Sequence, residues 1–244
     1  MNVFSDVSEL RCYKCGVTIT LHGTIFDDTQ YYNQQGQTSS HKKYDDKGHY
    51  RKHSNEIQAK GNITIVDEHL DQIDKCALRD YTKNGKLRRM DNMRCAQVRR
   101  WLKETGRTEY NRKVPTIRKL ITGRHGKSIV PPQLTVEEDN DFLADFSQIM
   151  IHYVEVVKDP EILRKIGKSK VHNKPYYPYI IFKIYLKRLH HDKRLWGLLE
   201  CIHLQSDTTL VRNDIIWEGI CKRMKGSGYK YKPTDRTLLL NINS

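Results

Sequence analysis

The sequence predicts a mainly α fold: a helical body with a small N-terminal β element, zinc-ribbon-like in intact or degenerate form. Three observations carry this. From residue 49 onward apolar residues recur at spacings of three and four, the period of one helix face. The clearest two-residue alternation, Val17-Thr18-Ile19-Thr20-Leu21, lies ahead of that body and follows Cys12-x-x-Cys15-Gly16,. Between the two, Asp27 to Tyr44 is polar and poor in apolar residues, as a tether would be. The chain therefore divides into residues 1–48, a finger-like β element with its linker, residues 49–130, a basic helical region, and residues 131–244, a C-terminal helical core.

Each helix has its own signal. Val66, Leu70, Ile73 and Ala77 share one face, with Leu78 adjoining it,. Asn92 stands where a cap would precede Cys95, Val98, Trp101 and Leu102, and Gly106 stands where a stop would follow,. Pro115 opens a short helix through Leu120, ended near Gly123,. Thr135 and Glu138 have capping-box spacing ahead of the stripe Phe142, Leu143, Phe146, Ile149, Met150 and Tyr153,. Residues 158–175, with Pro160, Gly167 and Pro175, read as a mobile connection,. Tyr179 to Leu189 is apolar around much of its circumference, which suits a central buried helix,. Ser206 can cap a last helix carrying Leu210, Asp214, Trp217, Ile220, Cys221 and Met224, ended by Gly226 and Gly228,. The residues expected inside are Ile181, Phe182, Leu186, Leu210, Trp217 and Ile220, with the last two long helices packed on each other.

Charge narrows the class of partner. Across 244 residues the net charge is +14. Such an excess repels itself and makes sense against a polyanion. An anionic membrane is the weaker choice, because no run approaches the roughly 18 apolar residues of a spanning helix. The longest apolar candidate, Tyr176 to Phe182, contains Pro178. Asp6, Glu9, Arg11 and Lys14 occupy the place of a signal peptide's apolar stretch, so an unexported chain with six reduced thiols is expected,. Most of the excess sits in residues 86–127, where 14 basic residues face three acidic ones, a net of +11. Arginine leads lysine nine to five there, which favours forked contacts to phosphate or guanine edges. The candidate nucleic-acid contacts are Arg88, Arg89, Arg94, Arg99, Arg100, Lys103, Arg107, Arg112, Lys113, Arg118 and Lys119. A solvated basic helix face is the plainer alternative, but the imbalance is too one-sided for ordinary ion pairing.

Metal chemistry is confined to the N-terminus. Cys12 and Cys15 have the spacing of half a tetrahedral zinc site,. No second Cys-x-x-Cys follows, and His22 and His41 are the nearest further ligands. Two readings stand side by side: a zinc knuckle, intact or degenerate, and two ordinary exposed cysteines. His49 and His53 share a helix face with no glutamate between them, so a zinc-protease reading fails,. The aspartates show no nuclease-like spacing, and the chain has neither a glycine-rich phosphate loop nor a nucleophile elbow,. Asp214, beside Trp217, suits a structural salt bridge or a pairing with the basic region.

Four stretches in order resemble one family. They are Cys12 to Gly16, then Tyr50-Arg51-Lys52-His53-Ser54-Asn55-Glu56-Ile57-Gln58-Ala59-Lys60, then Val98-Arg99-Arg100-Trp101-Leu102-Lys103 leading to Tyr110 and Val114-Pro115-Thr116-Ile117. Last comes the aromatic-rich Tyr177 to Leu189 with Leu198-Leu199 and Asp214-Ile215-Ile216-Trp217. Together they resemble the late transcription factor family, third late factor, of poxviruses and related nucleocytoplasmic large DNA viruses. The resemblance implies a non-enzymatic factor that binds DNA and helps a viral RNA polymerase, with sister late factors, at late promoters. It places the chain in the cytoplasmic viral factory or the nucleus. It also implies a zinc finger completed by a second cysteine pair, which this sequence lacks. The alternatives from other classes are a metal-dependent nuclease, which needs convergent carboxylates, and a basic virion protein that coats nucleic acid without choosing sequence.

Overall fold

A computed structural model describes residues 2–4, 9–11, 18–20, 45–60, 65–171, 174–188 and 192–235. The chain forms two units, Met1–Asp45 and Asp46–Ser244. In the first, strands β1 (Asn2–Phe4), β2 (Glu9–Arg11) and β3 (Thr18–Thr20) make an antiparallel sheet in that order. Val3 is opposite Leu10, and Leu10 is opposite Ile19. The alternating run read from the sequence supplies β3.

The second unit is helical. Helix α1 (Asp46–Ile57) buries Tyr50, His53, Ser54 and Ile57 at helical spacing. Just after it, buried Gln58 receives the Leu134 N–H on its side chain, and Gln133 donates to the Gln58 carbonyl. Helix α2 (Asp67–Tyr81) buries Leu70, Ile73 and Ala77 as expected, but Val66 is its N-cap and half exposed. A two-stranded hairpin follows, β4 (Thr82–Lys83) and β5 (Lys86–Leu87). Helix α3 (Cys95–Glu104) is preceded by Arg94 rather than Asn92. The Arg94 N–H donates to Gln97 at 2.8 Å, while Asn92 accepts from the Tyr81 hydroxyl. A 3-10 turn, Thr108–Lys113, leads into α4 (Val114–Arg124), with Pro115 in its first turn.

Helix α5 (Val136–Val156) has the reciprocal cap expected of Thr135 and Glu138, with bonds of 3.1 and 2.8 Å. Its six-residue apolar stripe is buried throughout. The stretch read as a mobile connection instead contains helix α6 (Pro160–Ile166). Asp159 caps it by accepting the Glu161 N–H, Pro160 opens it, and Gly167 closes it at φ 66°. Those are ordinary start and stop signals packed into one short stretch.

Helix α7 (Tyr177–Arg188) is buried without a break from Tyr177 to Tyr185. Helices α8 (Leu195–Leu199) and α9 (Asp207–Arg223) follow. One apolar cluster runs through the helices on both sides of residue 130. Ile181, Phe182, Leu210, Trp217 and Ile220 are buried in it, and Leu186 packs at its margin. Helix α9 lies mainly along α5 and α6. It meets α7 through side chains: Tyr179 and Lys183 reach Asp214 at 2.5 and 2.9 Å. Asp214 thus makes a structural pair with α7 and not with the basic region. No helix among the described residues is long and apolar enough to cross a membrane.

Candidate nucleic-acid interface

The basic region is built on α2, the hairpin, α3, the 3-10 turn and α4. Helix α3 buries Cys95, Val98, Trp101 and Leu102, and α4 buries Val114, Ile117 and Ile121. These faces hold the pair of helices against α2 and the C-terminal helices. What the remaining faces present depends on how each cation is used, and the structure sorts them into two groups.

The first group is tied to the protein itself. Arg118 is only 4% exposed. Its guanidinium lies 3.3 Å from the Glu200 carboxylate and 3.6 Å from Cys201 Sγ. The Glu200 carboxylate also accepts the Cys95 N–H at 2.9 Å, at the positive end of α3,. Arg99 donates to the carbonyls of Glu200 and Ile202, both at 3.1 Å, at the end of α8. Arg100 pairs with Asp80 at 2.5 Å, and the Trp101 indole N–H donates to the same carboxylate at 2.8 Å. Burial works against the Asp80 charge, yet Trp101, Arg79 and Arg100 outweigh it and hold its carboxyl below the usual range,. Arg79 forks onto Glu104. Arg107 meets Gln72, Lys113 lies over the Tyr110 ring at 5.2 Å, and Arg124 pairs with Asp71 at 2.7 Å. Arg118, counted above among the nucleic-acid contacts, is sealed in the core and out of reach of an external phosphate.

The second group faces solvent. Arg88, Arg89, Arg94, Lys103 and Arg112 are exposed and Lys119 is half-buried. With Lys83, Lys86 and Lys127, also exposed, none has an acidic partner within 4 Å among the described residues. Lys83 was not read from the sequence at all, and Lys86 and Lys127 were counted in the basic stretch but not among its contacts. The dipeptide Asn84-Gly85, a strong hairpin signal between extended residues, marks the element that carries Lys83.

Next to Arg118, Cys95 and Cys201 approach to 3.7 Å, both buried. Their hydrogen bond holds the Cys95 thiol below its ordinary range and the Cys201 thiol well above it. His53 meets Glu56 at 3.3 Å and stacks with His49 on Tyr177. No group of three His, Cys, Asp or Glu side chains among the described residues is placed to hold a metal. Cys12, Cys15, His22 and His41 lie outside the described residues, as do His190 and His191.

Comparison with known proteins places this geometry in a lineage. The family model described as Poxvirus Late Transcription Factor VLTF3 like matches residues 37–231. The chain is 33% identical over 234 residues to Zinc finger protein B385R of African swine fever virus, in a Kenyan pig isolate and in a South African tick isolate. The match covers 93% of this chain and 56% of each relative, so the chain spans about half the length of the curated relatives it matches. No solved structure matches. A family model covering most of the helical body, together with these relatives, makes the chain a member of the poxvirus late transcription factor VLTF3-like family.

Proposed function

We propose that this chain is a viral late-gene transcription factor that binds DNA through the exposed cations of residues 83–127 and assists the viral RNA polymerase at late promoters. The observation that carries the reading is the second group of cations. Nine cations on one stretch of chain with no acidic partner within 4 Å among the described residues repel one another, and a polyphosphate relieves that repulsion. The family supports the transcriptional setting, and with it a place in the cytoplasmic viral factory or the nucleus, alongside sister late factors.

Binding to a labelled duplex across a salt series tests this. If about five phosphates are neutralised, log affinity falls against log salt with a slope near −4 to −5. Replacing Arg94, Lys103 and Lys119 with alanine should make the slope shallower by roughly 2–3. Salt-independent binding, or none, would remove DNA from the reading. Recovery of polymerase subunits with the tagged chain from infected cells tests the second half.

Zinc belongs to the same proposal. Cys12 and Cys15, with His22, His41 or a partner's ligand, form the proposed site, in keeping with the zinc finger in the relatives' name. Purified protein should then carry about one zinc per chain, the stoichiometry of a single tetrahedral site. A metal content near zero, with both thiols freely alkylated, would discard the site and leave the DNA reading standing.

A further inference from the structure

The hairpin between α2 and α3 does nothing for the core. Every residue from Thr82 to Arg89 is exposed, including the side chain of Leu87. A ribbon this short is marginal by itself, yet it is rooted on both sides. Tyr81, 8% exposed, precedes it and donates to Asn92 and Gln97. Buried Met90 follows it. Asn84 and Gly85 both take positive φ, 52° and 72°, which gives the tight two-residue turn whose twist suits a hairpin. The Arg88 N–H then bonds the Tyr81 carbonyl at 2.9 Å, extending the ladder to the base.

Its charge pattern is the telling part. Lys83 and Lys86 are direct cross-strand partners. Like charges in that position destabilise a ribbon, and no carboxylate among the described residues offsets them. Arg88 and Arg89 add two more cations at the base. At the hairpin's C-terminal end an open cleft of about 370 Å³ is lined by Arg89, Asp91, His125 and Lys127 among others. His125 is already engaged by Asp74 at 2.8 Å, so Arg89 and Lys127 are the cations left to receive an anion there, against the single carboxylate of Asp91 in the same lining.

We propose that the Thr82–Arg89 hairpin is a two-stranded ribbon that enters the major groove of duplex DNA, while the cleft at its base takes a backbone phosphate. The inference rests on the DNA-binding reading above. Dimensions choose the groove. Two paired residues per strand at about 3.3 Å each reach about 7 Å before the turn, most of the depth of a groove about 8.5 Å deep. Two strands about 4.8 Å apart, with side chains, fit a groove about 12 Å wide and not one about 6 Å wide. A hairpin with small residues at its tip and lysines on its flanks can lie between two phosphate rows.

The test uses the full chain and a fluorescent duplex, followed by anisotropy across a salt series. The double variant K83A/K86A should bind about 10- to 100-fold more weakly near 0.1 M salt, with a slope shallower by roughly 2. Its melting curve should match the wild type, because neither side chain packs. Methyl green, a major-groove ligand, should displace the protein, and distamycin, which fills the minor groove, should not. Wild-type affinity and slope in the double variant, with R94A/K103A still weakened, would overturn the ribbon and leave the DNA reading intact. Displacement by distamycin alone would overturn the major-groove placement. A wild-type chain that ignores duplex DNA would overturn both readings.

Discussion

Arg118→Ala and Arg94→Ala should have opposite consequences, although the two residues belong to one basic stretch. Removing Arg118 leaves the Glu200 carboxylate and the Cys95–Cys201 pair without their cation. Breaking a buried ion pair costs about 3–5 kcal/mol, and the partial exposure of Glu200 puts the lower end of that range in view. Arg94→Ala should change stability by less than about 0.5 kcal/mol and weaken DNA binding. Denaturant unfolding set beside duplex binding checks both. Counting charges could not separate these arginines, but helical phase could. Arg118 shares a face with Val114, Ile117 and Ile121, and Arg99 shares one with Cys95, Val98 and Leu102. An arginine in step with an apolar stripe points inward, where it needs a carboxylate or carbonyls, and Glu200 supplies both kinds at once. His203 gives a second residue-scale prediction. Burial and the nearby Arg99 lower its pKa from the ordinary 6.5. The unfolded chain therefore takes up a proton that the folded chain resists. That contribution to stability is complete above about pH 6.5 and is lost as pH falls toward the folded pKa. Unfolding measured between pH 7 and 5 should show this slope, and His203→Gln should flatten it.

At the scale of elements, α9 is anchored to the core by Trp217 and Ile220. Trp217 is 3% exposed and meets the Tyr229 ring edge-on at 5.7 Å. Gly219 lets α9 approach α5 and α6, since a Cβ there would fall 2.9 Å from Val156 and 3.2 Å from Ile162. Trp217→Ala should cost about 3–5 kcal/mol, a large share of the roughly 5–15 kcal/mol that holds a typical domain together. The cooperative melt should weaken or vanish, and an unchanged melt would mean that the indole is not anchoring the core. Long helices were readable because their stripes repeat over several turns: α5 with its reciprocal cap and α7 with its apolar circumference. Short elements were not. Helix α6 spans seven residues, too few for a periodic signal, so its Asp159-Pro160 start and Gly167 stop read as loop punctuation. The hairpin has two residues in each strand and shows itself only through Asn84-Gly85. The packing of α7 with α9 was legible as burial but not as geometry, because periodicity says which face is covered and not by which neighbour.

For the molecule as a whole, stability and the proposed polyanion contact fall to different side chains on the same helices. The core cluster joins the basic region to the C-terminal helices, so the net +11 of residues 86–127 is carried by one connected helical body. The finger read at Cys12 and Cys15 belongs to the other unit, and the sequence gives the ligand spacing there without its completion. Glu200 adds a consequence in time. It holds the start of α3 from 105 residues farther along the chain. At about 5–20 residues per second of synthesis, it is made roughly 5–20 s after Cys95. For that interval the N-terminal end of α3 lacks its acceptor, and the two guanidiniums of Arg99 and Arg118 lack theirs. Helix α3 is thus made well before the residue that fixes its start, and a nascent chain passes through seconds in which those inward-facing cations have not yet met Glu200.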